Sequence, residues 1–445
     1  MSDKISVGFG KACITPLEPV PLCGYGNDTA RISTNVLSDL YAICIAVTDE
    51  DNNTVLLYET DLICAWAATM DPIRQAIAEA TGIPLAHIMV GGTHSHSAPS
   101  TECDYPTIAR YLPYLQAQLI ACAKEALADR KPTTLSMTEA KTKNISFVRH
   151  YVLEDGSYKG VNLNVLSQVP IAYHSSEPDP FMRLVKFTRE GGKDIILINW
   201  QCHPHRTGFG KTDLSADIIG VLRDEVEAAL GCSCIYFNGG NGNINPISFD
   251  LKENLYKDYL AQGKALAEFA LAVKDTFVPI ETGKVRVLHQ ICKEPFYKPD
   301  TSRLDVAQDV ADYFARTNDY RAGIAYAESK GMHSQYQAIQ LLEKHQMACA
   351  GVTHIDITMT VCAFGDVSFV SVPYEMFDTN GKYVRDFSPF KATIVSTNSN
   401  DCVDYIPSAY GFLNDCYEAD CTRVTPGAGE RLAQQYVKML EKIKD

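Results

Sequence analysis

The sequence lacks the features that would place the protein in a membrane or on nucleic acid. It has no apolar run long enough to span a bilayer, and its start shows no basic segment followed by an apolar core. Its 54 acidic residues outnumber its 40 basic ones, and the formal net charge of −14 argues against nucleic acid or an anionic membrane as partner. These absences favour a cytoplasmic protein with neither a signal peptide nor a membrane segment, and they leave an oligomer open.

Cysteine pairs at metal-binding spacing are also absent, although the chain has 15 cysteines. No two cysteines are separated by two residues, and the nearest pair is Cys232 and Cys234. Others, such as Cys44 and Cys122, lie inside apolar runs, where a free thiol behaves as a small hydrophobic group. We therefore predict reduced core residues, not a disulfide or zinc–thiolate framework.

Three familiar catalytic motifs are incomplete. No Gly-x-Ser-x-Gly elbow is present, which excludes the usual serine hydrolase pattern. Gly210-Lys211-Thr212 looks like the end of a phosphate-binding loop, but position 205 is histidine where that loop needs glycine. The histidine loop after residue 92 resembles that of metallo-β-lactamases, yet Ala98 and Pro99 replace the residues that would bind a second metal.

What is present is an alternation of strand-like and helix-like segments. Apolar strands and amphipathic helices follow one another along most of the chain, without an internal repeat or a clear linker. This pattern predicts an α/β fold of mixed α+β type, in which 1–445 form a single large layered domain with mixed sheets. Residues 300–348 are polar and mostly helical, and we interpret them as a helical insertion over the core.

The boundaries of these segments follow from hydrophobic periodicity and turn residues. The predicted strands include residues 40–48, 54–59, 88–92, 181–188, 194–201, 234–238, 285–292, 355–361, 367–372 and 392–396. The predicted helices include residues 71–80, 108–128, 213–230, 254–272, 376–385 and 430–442. A glycine-rich loop is predicted over residues 22–27.

Two histidine pairs follow two of the predicted strands. His94 and His96 stand among small residues after strand 88–92, and His203 and His205 flank a proline after the strand that ends at residue 201. Either pair alone is better interpreted as loop histidines bonded to backbone than as metal ligands. Because both pairs occupy the strand ends where α/β folds place ligands, we predict a metal site with His94 and His203 as ligands.

Two histidines do not complete a zinc site, which needs three or four ligands. Glu375 is the candidate carboxylate, since it follows an apolar strand, although a glutamate at a helix N-terminus is an equal alternative. Asp61, at the end of strand 54–59, is a candidate ligand or a candidate hydrogen-bond partner to orient His94.

Taken together, these segments resemble the neutral/alkaline ceramidase family over most of the chain. The order of the motifs carries the resemblance more than any one of them. They are Gly8-Phe9-Gly10 with Thr15-Pro16, the strand carrying Asp61, Thr93 to Pro99, His203-Pro204, the Asn–Gly loop ending at Pro246, Val372-Pro373-Tyr374-Glu375, and Tyr405 with Tyr417.

The resemblance implies a zinc-dependent hydrolase that cleaves an amide (N-acyl) bond of a small molecule. The family's zinc ligands fall on His94, His203, Glu375 and Tyr405. Its second loop histidine, the general acid/base, falls on His96, while the groups that stabilise the oxyanion fall on Tyr417 and Arg149. Zinc would lower the pKa of a water and polarise the carbonyl.

Two departures leave the substrate open and keep other functions in view. The family's functional serine is replaced by Asn245, and family members carry an additional C-terminal β-sandwich. The substrate is therefore not necessarily ceramide, although a role in sphingolipid metabolism is what the family implies. One alternative is a ligand-binding protein that has lost catalysis. Another is an amidohydrolase barrel, which also uses a His-x-His motif but carries it on its first strand.

Overall fold

The computed structural model describes residues 4–26, 28–160, 170–208, 210–414 and 416–444. Asn27 of the predicted glycine-rich loop lies outside the described residues, as do both ends of the predicted domain. Whether 1–445 form one domain, and whether 300–348 are an insertion, stay predictions.

Strands are numbered in chain order. They are β1 (Ile5–Cys13), β2 (Asn35–Val36), β3 (Tyr41–Asp49), β4 (Thr54–Thr60), β5 (Ile88–Gly92), β6 (Lys131–Lys141), β7 (Phe147–Val148), β8 (His150–Leu153), β9 (Tyr158–Gly160), β10 (Ile171–His174), β11 (Phe181–Arg189), β12 (Ile195–Trp200), β13 (Asp213–Leu214), β14 (Ser233–Asn238), β15 (Ile244–Asn245), β16 (Val278–Ile280), β17 (Val285–Pro295), β18 (His354–Phe364), β19 (Val367–Ser371), β20 (Glu375–Met376), β21 (Ala392–Ser396) and β22 (Tyr405–Ile406).

Helices follow the same convention. They are α1 (Ala67–Thr81), α2 (Pro106–Ala128), α3 (Asp217–Leu230), α4 (Tyr259–Ala272), α5 (Leu304–Thr317), α6 (Tyr320–Ser329), α7 (Gln335–Cys349), α8 (Asp378–Asp386), α9 (Ala409–Leu413), α10 (Tyr417–Cys421) and α11 (Ala428–Lys444). None of the described helices is long and apolar enough to cross a bilayer.

Two mixed sheets form the centre of the molecule. The larger one has the order β14-β12-β11-β6-β1-β3-β4-β5, with β16 added beside β6. Its two outer pairs, β12 with β14 and β4 with β5, are parallel, while the strands between them are antiparallel. The second sheet has the order β17-β18-β19-β21, and its β19 and β21 are parallel.

The two sheets share one hydrophobic core, and helices cover their outer faces. Phe237 of the larger sheet packs edge-to-face on Phe369 of the second sheet, with ring centroids 4.8 Å apart. Along β3, Ile43 and Ile45 belong to this shared core, while the alternate residue Cys44 packs under α1 and α2. This period-two alternation between two buried faces explains why β3 is apolar almost throughout. The result is a layered α/β structure of mixed α+β type, as predicted.

Most predicted elements are present, and the two helices whose observed starts lie furthest beyond the predicted ones are α3 and α4. The helix predicted from Asp213 begins at Asp217, because Asp213 and Leu214 pair with β2 as strand β13. The helix predicted from residue 254 begins at Tyr259, where the side chain of Asp258 accepts a hydrogen bond from a backbone N–H of the first turn. In both cases the start of the helix is set by local backbone pairing or by capping, neither of which can be predicted from the spacing of apolar residues.

The region predicted to be mostly helical contains α5, α6 and α7. Apolar residues from these helices form their own small core, which includes Ala307, Val310, Ala327 and Ala338. Lys344 of α7 is buried and donates to the carbonyl oxygens of Asp420 and Thr422, at 2.7 and 3.3 Å. These bonds attach the three helices to the end of α10.

Candidate metal centre and active site

The predicted metal ligands meet at one edge of the sheets, where several strands end. His94 follows β5 and His203 follows β12, while Glu375 lies just past β19. Tyr405 comes from the segment after β21, and it pairs in register with Glu375 because β20 and β22 run parallel. The carboxyl ends of parallel strands thus bring these four residues together from distant positions in the sequence.

Their polar atoms are separated by the distances expected around one small cation. His94 Nε2 and His203 Nε2 lie 3.4 and 3.1 Å from the same Glu375 oxygen, Oε2, and His203 Nε2 lies 3.4 Å from the Tyr405 hydroxyl. Four ligands at the zinc distances of about 2.0–2.1 Å in a tetrahedron are about 3.3 Å apart. The spacing therefore fits a tetrahedral zinc site of nitrogen and oxygen ligands.

Proton positions on the two imidazoles give a second reason for a cation. His94 Nδ1 lies 2.9 Å from the carbonyl oxygen of Ile63, and His203 Nδ1 lies 3.0 Å from that of Ile244. A carbonyl only accepts, so each Nδ1 carries the proton and each Nε2 presents a lone pair. Both lone pairs lie beside the Glu375 carboxylate oxygen, which is also a hydrogen-bond acceptor. No proton is then available between these buried atoms, and His94 Nε2 and Glu375 Oε2 have no hydrogen-bond partner. A cation held between these atoms would resolve this conflict.

Burial and neighbouring groups shift the pKa values of the residues at the site. Burial lowers the pKa of His203 to about 4, so its imidazole is neutral and ready to act as a ligand at pH 7. Burial alone would raise the pKa of Glu375, but the neighbouring His94 and His203 lower it. Burial and the charge of Glu375 raise the pKa of the Tyr405 phenol. These groups supply a neutral nitrogen, a carboxylate and a phenol to one point.

The backbone around the site is strained. His94 has φ 69°, in the left-handed region that residues with a Cβ rarely adopt. Asn398 (φ 55°) lies against it, with its side-chain amide 3.1 Å from His94 Nδ1. Such backbone strain costs about 1–3 kcal/mol per residue and concentrates at functional sites.

His96 lies beside the predicted ligands but has a different environment. Its ring is buried, and neither of its nitrogens has a hydrogen-bond partner. Burial, followed by the neighbouring histidines, lowers its pKa well below the ordinary value. A donor atom of His96 also lies within 4.8 Å of donor atoms of His94 and His203, so geometry alone allows His96 to be a metal ligand. The Nδ1 edge of the ring faces Gly24, where there is no room for a side chain, because an added Cβ would lie 2.5 Å from that nitrogen.

Arg149 is held at the site by residues that the sequence did not indicate. Its Nε donates to Glu418 at 2.6 Å and its Nη2 to the Gly242 carbonyl at 2.8 Å. The guanidinium carbon lies 5.3 Å from the centre of the Tyr405 ring. Burial alone would raise the pKa of Glu418, but Arg149 and His150 lower it, so the carboxylate stays charged and holds the arginine. Nothing in the local sequence around Glu418 signals this role.

Tyr417 and Asn245 are also placed near the ligands. Tyr417 opens α10 and packs on Tyr405, with ring centroids 5.9 Å apart. Asn245 is fully buried in β15, where its side chain faces that of His205. His205 lies beyond His203, with its ring 5.8 Å from that of His96; burial lowers its pKa to about 3. The structure thus gathers all eight predicted site residues in one region.

The prediction for Asp61 is wrong. Asp61 accepts hydrogen bonds from Arg223 at 2.6 Å and from the backbone of Tyr41 at 2.9 Å. The group that orients His94 is the carbonyl of Ile63, two residues further along the chain. From the sequence, a carboxylate at a strand end is a reasonable hydrogen-bond partner for a histidine. Only the tertiary structure shows that this carboxylate is bonded to a buried arginine instead.

Comparisons with known proteins identify the fold. No family model matches the chain, and no curated protein matches its sequence. Among solved structures, a ceramidase complexed with C2 is similar with a TM-score of 0.72 and 15% identity, covering 99% of this chain and 75% of that one. A neutral ceramidase from Pseudomonas aeruginosa is similar with a TM-score of 0.70 and 14% identity, covering 100% and 75%. The chain therefore has the neutral ceramidase fold, as the motif order predicted.

This fold removes one alternative. The larger of the two central sheets is open and mixed in direction, from β14 at one edge to β5 at the other. An amidohydrolase barrel would need a closed ring of parallel strands. The amidohydrolase alternative is therefore wrong, and the His-x-His motif belongs to a different architecture.

Proposed function

We propose that this protein is a zinc-dependent hydrolase that cleaves an amide (N-acyl) bond. The observation that carries the proposal is the meeting of two buried imidazole lone pairs, His94 Nε2 and His203 Nε2, at 3.4 and 3.1 Å from one buried carboxylate oxygen, Glu375 Oε2. The ceramidase fold supports the same chemistry, because a ceramidase cleaves an amide. Zinc held by these residues and Tyr405 would supply Lewis acidity toward the carbonyl and a more acidic water.

His96 is the proposed general acid/base. Its neutral imidazole has no partner for either nitrogen, and it stands beside the ligands. Because Nδ1 faces Gly24, we assign proton transfer to Nε2, which would take a proton from the attacking water and pass it to the leaving amine.

Arg149, Tyr417 and Asn245 are the proposed oxyanion group. Two nitrogens of Arg149 are bonded to Glu418 and Gly242, so the guanidinium is fixed in place before substrate binds. Donors that are positioned in advance stabilise a developing charge without reorganisation. The Asn245 amide can donate a hydrogen bond where the family has a serine, although it cannot supply a hydroxyl.

The direct test is a screen of N-acyl amides with zinc-loaded protein and with the same protein after chelation. We expect hydrolysis of at least one amide by the zinc-loaded form, its loss on chelation, and its return when zinc is restored. Hydrolysis that survives complete removal of metal would contradict the proposal.

Replacement of His96 by alanine tests whether His96 is a metal ligand or a proton-transfer group. If His96 transfers protons, His96→Ala should keep about one zinc per chain while kcat/KM falls by about 10²–10⁴. The measurements are metal content and the rate on the best amide from the screen. Loss of zinc in this variant would show instead that His96 is a ligand.

A substitution at Gly24 tests the position of the His96 ring. Gly24→Ala would place a Cβ 2.5 Å from His96 Nδ1 and would strain a residue with φ 117°. We expect about a hundredfold loss of kcat/KM with zinc retained, since small displacements of a catalytic group have effects of this size. Gly82→Ala is the matched control, because Gly82 also has positive φ, 75°, but has nothing within 4 Å of the added Cβ. Equal losses in the two variants would exclude a specific effect on His96.

The second candidate function is a ligand-binding protein without catalysis. The replacement of the family's serine by Asn245 favours it, because an amide side chain cannot supply a hydroxyl at this position. In that case Asn245→Ser should create or strongly raise amide hydrolysis, whereas the proposed hydrolase should already be active. The rates of both proteins on the same amides distinguish the two functions.

A further inference from the structure

A small cavity leads to the candidate metal centre. Its volume is about 220 Å³. Pockets for drug-sized ligands measure about 300–1,000 Å³, so this one is small. The residues that line it beside the metal ligands include five aromatic ones, namely Tyr25, Trp66, Tyr320, Tyr336 and Tyr417.

Two of these aromatic residues come from the helices α5–α7. Tyr320, the first residue of α6, packs edge-to-face on Tyr25 of the glycine-rich loop, with ring centroids 5.6 Å apart. Tyr336 of α7 packs on Tyr417 at 6.1 Å and donates to Asp404 at 3.2 Å. Helices α6 and α7 therefore each contribute one aromatic side chain to the cavity wall.

The helices are fastened in this position. Buried Lys344 of α7 donates to two carbonyl oxygens at the end of α10, and His333 pairs with Asp420. Opening the cavity from this side would leave a buried ammonium group without partners, which is costly. Tyr320 and Tyr336 therefore occupy space beside the metal ligands that a long acyl chain would need.

We propose that α5–α7 limit the size of the substrate, so that the site accepts amides with a short acyl group and a compact amine and excludes long acyl chains. The type of bond cleaved rests on the proposed function, whereas the size limit rests on the cavity itself. Tyr320 and Tyr336 are the residues that set the limit. The substrate class is then a short-chain N-acyl amide, not an N-acyl lipid.

Alkyl hydroxamates provide a test that does not need catalysis, since they bind zinc directly. Their affinity for zinc-loaded protein is measured by calorimetry with acyl chains of two, six and twelve carbons. We expect the two-carbon probe to bind at least about tenfold more tightly than the twelve-carbon probe. An open apolar groove would give the opposite order, because each added methylene would strengthen binding.

Variants assign the effect to the two tyrosines. In the double variant Tyr320→Ala/Tyr336→Ala, the ratio of the affinity for the two-carbon probe to that for the twelve-carbon probe should be at least about fivefold lower than in the unaltered protein. Tyr313→Ala is the matched control: Tyr313 lies on α5 and stacks on Tyr326, with centroids 4.0 Å apart, away from the cavity. It should leave the ratio unchanged, even if it loosens the helices.

The outcomes separate the two proposals. Tight binding of the twelve-carbon probe by the unaltered protein, or an unchanged ratio in the double variant, would overturn the size limit. Binding of the two-carbon probe with no amide hydrolysed would overturn the hydrolase function and leave the size limit standing. Failure of every hydroxamate to bind would overturn the metal site and the inference with it.

Discussion

Alanine in place of His94 should reduce bound zinc from about one ion per chain to less than about a tenth of that. His94 Nε2 is one of the two imidazole lone pairs aimed at Glu375, and alanine leaves that coordination position empty. Amide hydrolysis should fall by about a thousandfold or more, because the Lewis acid accounts for several kcal/mol of transition-state stabilisation. Metal content is measured on protein purified without chelator, alongside kcat/KM.

The control for this experiment is another histidine in the same protein. His354→Ala removes an exposed imidazole of β18, which pairs with Asp356 on the surface, and it should keep zinc and activity. Full zinc occupancy in His94→Ala would place the ion elsewhere. Absence of zinc from both the unaltered protein and the variant, even after incubation with zinc, would remove the metal site altogether.

Alanine in place of Arg223 should produce the largest loss of stability. Arg223 of α3 donates to Glu59 at 2.8 Å and to Asp61 at 2.6 Å, and all three side chains are buried. Removing the guanidinium leaves two buried carboxylates close together without a counter-charge. We expect the free energy of unfolding to fall by about 3–5 kcal/mol. Urea denaturation, followed by far-UV circular dichroism, measures it.

An exposed pair provides the comparison. Arg110 and Glu18 form a two-bond salt bridge in which the side chains are 60% and 41% exposed. Arg110→Ala should cost at most about 1 kcal/mol, because solvent screens the pair and hydrates the glutamate that remains. If the two variants lost equal stability, burial would not be the cause of the effect.

Hydrophobic patterning was enough to predict most strands and helices. The hairpin of β3 and β4 and that of β11 and β12 were predicted from apolar runs separated by turn residues, and both are present. Helix starts were predicted less well, as α3 and α4 show, because a bridging strand and an N-cap aspartate set them. Such features depend on one or two polar contacts that periodicity does not report.

The site was predictable only in part from the residues themselves. His94 and His203 were found because each stands at the end of an apolar strand. Glu375 was an even choice between a ligand and a helix-terminal residue, and Tyr405 entered only through the resemblance to ceramidases. No local pattern marks Glu418, since its importance comes from a bond to Arg149, 269 residues away in the chain.

The sequence by itself determined the alternation of strands and helices, the two histidine pairs at strand ends and the order of motifs that indicates the fold. The tertiary structure alone decided which polar groups meet. Parallel strands bring Glu375 beside Tyr405, and Asp61 forms a buried ion pair with Arg223. Tyr320 and Tyr336 line the cavity. The physical reason is that metal sites, buried ion pairs and cavities are made by contacts between distant segments, and sequence periodicity carries no information about which segments meet.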